Sequence, residues 1–351
     1  MKRLVLLAGL HKTGSTSIQR TCVANQQLLR SNGISYFPEM LIDGKLTTQG
    51  NGNHTRLLRV LFRRSTIYQF QRGGQKAYED RSAKVRAGVK ELLQRADGDA
   101  VVMAAEVVST FTPAELGDMK SFFHECGFDV SLICCVRKPL EWLTSMVAQR
   151  AIGERGPRLT IEAAIQEFVS AGGIIAPRVQ ALAGTFPDTD FYSFDAAIHH
   201  GFGPVGCFLA KIGIEADEAL VIVKANEGKS AHAVRLHSWI NQAVGPRGAS
   251  KQHDAFYTAL PDRCPALWAI PGAKFSLLEG EVAPLLSILI NENNWLRNRF
   301  GQGFYDGTLV LGKGPVLLDA EQKRMLAEMA ATIGMPIAPI VGRYIAQQSS
   351  D

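Results

Sequence analysis

The chain has 351 residues, of which 46% are hydrophobic and 20% are charged. This composition is that of a folded globular protein and excludes a disordered or collagen-like chain. Lys and Arg outnumber Asp and Glu by 38 to 33, which gives a formal net charge of +5. Because the basic residues form no long runs, the excess suits an anionic ligand held in a cleft, and no nucleic-acid partner is predicted.

The cysteines and the N-terminus bear on the cellular compartment. The six cysteines form no CxxC pair and lack the dense spacing of a secreted disulfide scaffold. The apolar run from Leu4 to Leu10 follows two basic residues, as in a signal peptide, but it is short and precedes no small-residue cleavage site. No stretch of the sequence approaches the ~20 apolar residues of a membrane-spanning helix. We therefore predict a cytoplasmic protein with no transmembrane segment.

Hydrophobic periodicity and turn residues predict strands that alternate with helices over the first 155 residues. Strands are predicted over residues 3–10, 34–37, 100–108, 128–136 and 190–194. Helices are predicted from Ser15 to the stop at Gly33, from Pro139 onward, and over residues 81–95, 112–126, 236–244, 277–290 and 320–333. The polar stretch over residues 43–55 is predicted to be a long loop.

This alternation predicts the α/β class, as a three-layer α/β/α fold with a mostly parallel central sheet. We expect a single domain over residues 1–351. Residues 1–155 would form the α/β core that binds the ligand. Residues 156–351 would form a mainly helical part that covers the sheet and shapes a cleft.

The loop between the first strand and the first helix is the clearest candidate for a binding site. It reads Gly9-Leu-His-Lys-Thr-Gly-Ser-Thr-Ser17. Backbone N–H groups at a helix N-terminus lack partners and carry the positive end of the helix dipole, so they bind phosphate readily. Against the Walker A pattern GxxxxGK[ST], Gly9 and Gly14 match, but Ser15 stands at the lysine position and Lys12 comes three residues earlier. This departure disfavours a nucleoside-triphosphate hydrolase.

The segment from His11 to Gln19 resembles the 5′-phosphosulfate loop of sulfotransferases that use 3′-phosphoadenosine-5′-phosphosulfate (PAPS), in the version typical of bacterial members. The resemblance implies that Lys12 contacts the 5′-phosphate and the bridging oxygen, where negative charge develops as the sulfuryl group departs. It implies a cradle for the remaining oxygens formed by Thr13, Gly14, Ser15, Thr16 and Ser17. His11 precedes the lysine in similar sequences too, which favours a role in the donor site over a catalytic one.

A second segment, residues 134–145, resembles the part of these enzymes that binds the 3′-phosphate of PAPS. Arg137 would end a strand, and Ser145 follows eight residues later within the next helix. The resemblance implies that both residues bind the 3′-phosphate, because an arginine can clamp a phosphate through two hydrogen bonds and a serine can donate another. Lys138 stands where many members carry an acidic residue.

Together the two segments imply a sulfotransferase of the P-loop NTPase-like fold. The implied activity is transfer of a sulfuryl group from PAPS to a hydroxyl or an amine. The resemblance favours a carbohydrate or a lipid-linked glycan as the acceptor, and lipids and small secondary metabolites stay open as alternatives. No metal is predicted, because the histidines lack the spacing of metal ligands.

Two residues are candidates for the general base. Glu106 would end the buried stretch over residues 100–105 at the sheet edge where ligands bind, and glycan-type sulfotransferases often use a glutamate. A structural carboxylate that bonds loop amides is the alternative for Glu106. His54 lies in a Gly-rich loop, and an imidazole suits proton abstraction near neutral pH. A solvated loop histidine is the alternative for His54.

Two other functions stay open. A P-loop nucleotide kinase or hydrolase would begin with the same strand, loop and helix, and would bind ATP with Mg²⁺ better than adenosine 3′,5′-bisphosphate. A non-catalytic sulfotransferase relic would bind nucleotide or glycan without turnover. The residues Lys12, Arg137 and Ser145 argue against the relic, whereas an uncertain base keeps it open.

Overall fold

The computed structural model of the chain divides it into two compact units that interleave along the sequence. The described residues are 1–40, 46–47, 50–63, 74–153, 158–171, 174–225, 228–245, 267, 269–302, 304–306, 308–312, 314, 317–333 and 337–347. The first unit comprises residues 1–138, 175–226 and 296–306, and the second comprises residues 139–174, 227–295 and 307–351. The single domain over residues 1–351 stays a prediction.

A five-stranded, all-parallel sheet forms the centre of the first unit. The strands of the chain are β1 (Lys2–Leu7), β2 (Ile34–Tyr36), β3 (Glu39–Met40), β4 (Leu46–Thr47), β5 (Ala100–Ala104), β6 (Phe128–Val136) and β7 (Asp190–Ser193). The spatial order in the sheet is β2-β5-β1-β6-β7, while β3 and β4 form a separate antiparallel pair. Because β1 is central, the loop that follows it lies in the middle of the carboxyl edge, where open α/β sheets bind ligands.

The helices of the first unit flank the strands in chain order. They are α1 (Ser15–Ala24), α2 (Gln26–Ser31), α3 (Thr55–Phe62), α4 (Gly74–Gln94), a 3₁₀ turn (Glu106–Thr110) and α5 (Pro113–Glu125). After α6 (Pro139–Ile152) and α7 (Ile161–Ala171) of the second unit come α8 (Ala176–Thr185), α9 (Phe194–Ile198) and α10 (Gly203–Lys211).

Both faces of β1 are buried, which explains its continuous apolar sequence. Val5 and Leu7 point to one face, and Leu4 and Leu6 point to the other because side chains alternate along a strand. Val5 and Leu7 pack in one cluster with residues of α1, α2 and α10, among them Ile18, Cys22, Leu29 and Phe208. This cluster fixes α1, and therefore the start of that helix, against the sheet.

The opposite face of the sheet carries α3, α4, α5 and α8. Phe62 of α3 contacts Phe122 and Phe123 of α5, with ring centroids 5.7 and 5.8 Å apart. The guanidinium of Arg86 in α4 lies 5.1 and 4.9 Å from the ring centroids of Phe62 and Phe122. Helices therefore cover both faces of a parallel sheet, and the predicted three-layer α/β/α fold is confirmed.

Polar side chains of α1 and its C-cap hold the segment from Val221 to Ala225, which we call the strap. Ser17, Thr21 and Asn25 are four residues apart and share one face of the helix. The Ser17 hydroxyl accepts from Ala225 N, and the Thr21 hydroxyl accepts from Val223 N, both at 3.0 Å. The Asn25 amide accepts from Val221 N at 3.0 Å and donates to Val221 O at 2.8 Å.

The second unit is helical in its described residues, apart from two isolated β-bridges. Besides α6 and α7 it contains α11 (Ala231–Val244), α12 (Glu279–Val282), a 3₁₀ turn (Ala283–Leu285), α14 (Ala320–Ile333), α15 (Ala338–Gln347) and most of α13 (Leu286–Phe300), whose last turn belongs to the first unit. An apolar cluster joins α11 to α14 and α15, and Trp239 contacts Tyr344 with ring centroids 5.7 Å apart. Within the described residues, no helix has both the length and the apolar content to cross a bilayer.

Most predicted elements are confirmed within a few residues. β6 and α14 have the predicted bounds, and α5 begins where Thr112 and Glu115 form a capping box. The chiefly helical character beyond residue 155 and the strand β7 are confirmed as well. The predicted loop over residues 43–55 is described only in part, since residues 43–45 and 48–49 lie outside the described residues.

The third strand of the sequence prediction is shorter than expected. β5 ends at Ala104, and residues 106–110 form a 3₁₀ turn. The hydroxyls of Ser109 and Thr110 donate to the carbonyl oxygens three residues earlier, at 2.8 Å each. Such local hydrogen bonds compete with strand pairing, so Glu106 begins a tight turn instead of continuing the strand.

Truncation of Asn25 tests the strap. We expect Asn25→Ala to lower the free energy of unfolding by about 1–3 kcal/mol, because it removes two hydrogen bonds to the part-buried backbone of Val221, each worth about 0.5–1.5 kcal/mol. The measurement is urea denaturation, with Gln27→Ala, an exposed residue of α2, as the matched control. Equal unfolding midpoints for the two variants would show that the strap contributes nothing to stability.

Candidate functional site

The loop after β1 is tied to β6 before it reaches α1. Ala8 N donates to Ile133 O at 2.9 Å, and Leu10 N donates to Cys135 O at 3.3 Å, so pairing continues beyond the end of β1. The Leu10 side chain is fully buried. The loop therefore starts from a fixed point at the carboxyl edge of the sheet.

The helix that follows this loop begins without a side-chain cap. Gly14 is the N-cap of α1, with a left-handed φ of 83°, and no side chain accepts a hydrogen bond from the first turn. Among the described residues, no acceptor contacts the backbone N–H groups of Thr13, Gly14 or Ser15. Donors without partners at a helix N-terminus fit the oxygens of a phosphate or sulfate group.

Lys12 is the only non-glycine residue with positive φ in the described part of the chain, at 69°. A left-handed conformation costs a residue with a side chain roughly 1–2 kcal/mol. Arg137, directly after β6, donates from Nη1 to the Lys12 carbonyl oxygen at 2.9 Å and helps to hold this conformation. The guanidinium of Arg137 also lies 4.8 Å from the ring centroid of Phe194.

Thr13 stabilises the loop through a hydrogen bond within it. Its hydroxyl donates to Leu10 O at 2.6 Å, and the residue is 2% exposed. A Cβ added at Gly9 would come within 3.0 Å of that hydroxyl, which explains a glycine at this position. The hydroxyl of Thr13 therefore belongs to the loop and is already engaged.

The carboxylate of Glu106 joins the loop to the end of β5. His11 Nδ1 lies 2.7 Å from Glu106 Oε2, and the Ser15 hydroxyl donates to Glu106 Oε1. Burial raises the pKa of Glu106, but the hydrogen bonds and charge of His11, the Ser15 hydrogen bond and the charge of Lys12 outweigh burial. The pKa lies below its usual value, so Glu106 is ionised at neutral pH and is a weak base.

The remaining residues of the two predicted donor-binding segments have different surroundings in the structure. Ser17 binds the strap through its hydroxyl, and this hydroxyl is therefore already engaged. Thr16 is half-buried in the first turn of α1. Ser145 is a half-buried residue of α6 in the second unit, and its contact with a 3′-phosphate stays a prediction. Lys138 pairs with Asp195 and Asp306 at 2.8 and 3.1 Å.

His54 is buried, so the alternative of a solvated loop histidine is wrong, and the hydrogen bonds of its ring oppose the predicted role as a general base. The side chain is fully buried at the N-terminus of α3. Ala104 N donates to Nδ1 at 2.9 Å, and Nε2 lies 2.7 Å from the carbonyl oxygen of Phe37, to which it donates. Both nitrogens are used, so the ring has no lone pair for proton abstraction. It bridges β5 to the residue after β2, where the two strands separate.

Two features of this site escaped sequence reasoning. The contact between His11 and Glu106 joins residues 95 positions apart, and it depends on β5 lying beside β1. Parallel strands bring their carboxyl ends to one edge, which is the only sequence signal for this contact. No feature of the sequence indicated that Arg137 would stack on Phe194. Among the described residues no group of three or more His, Cys, Asp or Glu has the arrangement of a metal site, and the absence of a metal stays a prediction.

Comparisons with known proteins give little similarity. No protein-family model matches the chain, and no curated protein matches it. A solved shikimate kinase from Bacteroides thetaiotaomicron is 9% identical and matches over 61% of this chain and 100% of its own, with a TM-score of 0.31. A structure from the PezAT toxin–antitoxin system of Streptococcus pneumoniae is 14% identical over 63% of this chain and 81% of its own, with a TM-score of 0.26. Because both TM-scores are low, the fold assignment depends on the sheet order and the loop described above.

The buried state of His54 predicts a pH dependence of stability. Burial lowers the pKa of His54 from 6.5 to about 4, and hydrogen bonds to the backbone of Phe37 and Ala104 offset only part of this effect. The unfolded chain therefore binds the extra proton first, and stability falls as the pH drops from 6.5 to about 4. The loss attributable to His54 is about 3 kcal/mol at 1.36 kcal/mol per pKa unit.

Urea denaturation at several pH values between 7 and about 4 measures this loss. His54→Gln should show a shallower decline of the free energy of unfolding than the unmodified chain. His124→Gln, which changes an exposed histidine of α5, should leave the decline unchanged. A decline that is the same in all three proteins would show that His54 does not resist protonation.

Proposed function

We propose that this chain is a nucleotide-dependent group-transfer enzyme that takes a sulfuryl group from PAPS. One observation carries the proposal: Arg137 donates to the carbonyl oxygen of Lys12 at 2.9 Å, across 125 residues of sequence. Each of these residues belongs to one of the two segments that resemble the donor site of sulfotransferases. Their contact places the two segments that would hold the 5′- and 3′-phosphates of one nucleotide next to each other.

The roles of the loop residues follow from charge and geometry. The partnerless N–H groups of Thr13, Gly14 and Ser15 would bind the oxygens of the 5′-phosphosulfate. Lys12 would stabilise the charge on the bridging oxygen, and Arg137 would bind the 3′-phosphate. A hydroxyl or an amine of a carbohydrate or a lipid-linked glycan would accept the sulfuryl group. This acceptor class is taken from the family resemblance alone.

A P-loop kinase is the second candidate, because of the contact between Ser15 and Glu106. In P-loop NTPases a loop hydroxyl and an acidic residue at the end of a neighbouring strand hold Mg²⁺. Glu106 follows β5, which neighbours β1, so it occupies a comparable place. The absence of lysine at the position of Ser15 still opposes this function.

Calorimetric titration separates the candidates. We expect adenosine 3′,5′-bisphosphate to bind without metal, and AMP to bind at least tenfold more weakly because it lacks the 3′-phosphate. Arg137→Ala should abolish this preference for the 3′-phosphate, since it removes a charge-assisted contact worth about 1.5–3 kcal/mol. Arg95→Ala, which changes an exposed arginine beside α4, is the control and should bind like the unmodified chain. Tighter binding of ATP with Mg²⁺ than of the bisphosphate would favour the kinase and contradict the proposal.

Lys12 is tested by a variant that preserves the loop. Asn tolerates a left-handed φ better than other side chains, so Lys12→Asn deletes the charge while the backbone keeps its conformation. We expect the rate of sulfuryl transfer from PAPS to fall by about 10²–10³, as for the loss of one group that stabilises a developing negative charge. The rate is measured with ³⁵S-labelled PAPS and a panel of monosaccharides and disaccharides. A rate within a few fold of the unmodified chain would remove Lys12 from the transfer step.

A further inference from the structure

His11 is held by Glu106 in one tautomer. The ionised carboxylate of Glu106 only accepts hydrogen bonds, so His11 Nδ1, at 2.7 Å from Oε2, carries the proton of this contact. In a neutral imidazole the other nitrogen, Nε2, then has the free lone pair. A carboxylate that orients a histidine in this way is the arrangement that prepares the ring to accept a proton.

The Nε2 atom of His11 can accept a proton, whereas the corresponding atoms of the other candidate bases already have hydrogen-bond partners. No residue in the described part of the chain forms a hydrogen bond with it, and the His11 side chain is 27% exposed. In contrast, both oxygens of Glu106 accept hydrogen bonds, and both nitrogens of His54 are bound to backbone groups. Of these three residues, only His11 has a ring nitrogen without a hydrogen-bond partner among the described residues, and it belongs to the loop whose backbone N–H groups lack acceptors there.

We propose that His11 is the general base of the transfer reaction and that Glu106 is its positioning residue. This inference rests on the proposed function. It replaces the expectation that Glu106 itself takes the proton. It also gives the ionised Glu106 a role beside the loop, because its negative charge orients the histidine and stabilises the imidazolium that forms.

The proposed step balances in atoms and charge. The acceptor oxygen attacks the sulfur of PAPS and forms a new S–O bond, while its proton moves to His11 Nε2. The S–O bond to the 5′-phosphate breaks, and its electron pair stays on that phosphate oxygen, near Lys12. The products are the sulfated acceptor and adenosine 3′,5′-bisphosphate, and His11 then releases its proton to water. The charged groups beside His11 are Glu106 after β5, which contacts its ring, and Lys12, the next residue of the loop, whose charge also acts on Glu106.

Two His11 variants test this role. His11→Asn places a short amide that can still donate to Glu106 Oε2 but lacks Nε2, so the loop contact survives without the base. His11→Ala leaves a space open to solvent that exogenous imidazole can enter. With ³⁵S-labelled PAPS and the same saccharide panel, we expect both variants to lose about 10²–10⁴ in kcat, the usual contribution of general base catalysis. Imidazole should restore part of the His11→Ala rate in a concentration-dependent manner and should not affect His11→Asn.

The remaining measurements separate a positioning role from a structural one. The pH–rate profile of the unmodified enzyme should show an acidic limb that is lost in His11→Asn. Glu106→Gln should lower kcat more than it changes the affinity for adenosine 3′,5′-bisphosphate, because its effect acts through the orientation of His11. His124→Ala, which changes an exposed histidine of α5, is the control and should keep the full rate.

The outcomes distinguish the two proposals. If the unmodified enzyme transfers the sulfuryl group and both His11 variants keep its rate and its pH profile, His11 is not the base and the inference is wrong. If His11→Ala loses the rate but imidazole restores none of it while His11→Asn remains active, the role of His11 is structural. If the unmodified enzyme transfers no sulfur to any saccharide in the panel, the proposed function fails, and the inference fails with it.

Discussion

The half-buried carboxylate of Glu106 forms the contacts on which the candidate site depends. It lies at the end of β5 and accepts hydrogen bonds from both sides of the loop, from His11 before Lys12 and from Ser15 after Gly14. These hydrogen bonds stabilise the charge, because a carboxylate that is partly withdrawn from water is unfavourable without partners. The loop therefore cannot move away from β5 without leaving that charge unsatisfied, and its conformation is fixed by electrostatics as well as by chain geometry.

A second restraint on the loop comes from β6, the other neighbour of β1. Arg137, directly after β6, holds the carbonyl oxygen of Lys12, whose left-handed backbone is unfavourable by itself. β1 lies between β5 and β6, so the two contacts reach the loop from both neighbouring strands. The strap adds a third restraint, since Ser17 in the first turn of α1 is bound to Ala225. Together these contacts hold the loop and the first turn of α1 in place at the carboxyl edge of the sheet.

Much of this arrangement follows from local sequence. The apolar run of β1, the glycines of the loop and the helix after Ser15 were predictable because each depends on neighbouring residues. The end of β6 at Val136, directly before Arg137, was predictable for the same reason. The end of β5 was not, because Ser109 and Thr110 form local hydrogen bonds that override the strand tendency of Val107 and Val108.

The assignments of His54 and His11 show where local sequence is insufficient. A Gly-rich loop around His54 suggested exposure, but His54 is buried because it completes hydrogen bonds of Phe37 and Ala104 where two strands diverge. His11 seemed secondary to Lys12, and its orientation depends on Glu106, which comes from a different strand. Both outcomes depend on which strands are neighbours, and that order is a property of the whole sheet.

The most direct test of the central claim is a comparison of label transfer by the purified protein. The protein is incubated with the saccharide panel and either ³⁵S-labelled PAPS without metal or γ-³²P-labelled ATP with Mg²⁺, and the label in the saccharides is counted. We expect incorporation of ³⁵S that falls by about 10²–10⁴ in His11→Asn, with no incorporation of ³²P. Incorporation of ³²P alone would contradict the proposed function and identify the loop as that of a kinase.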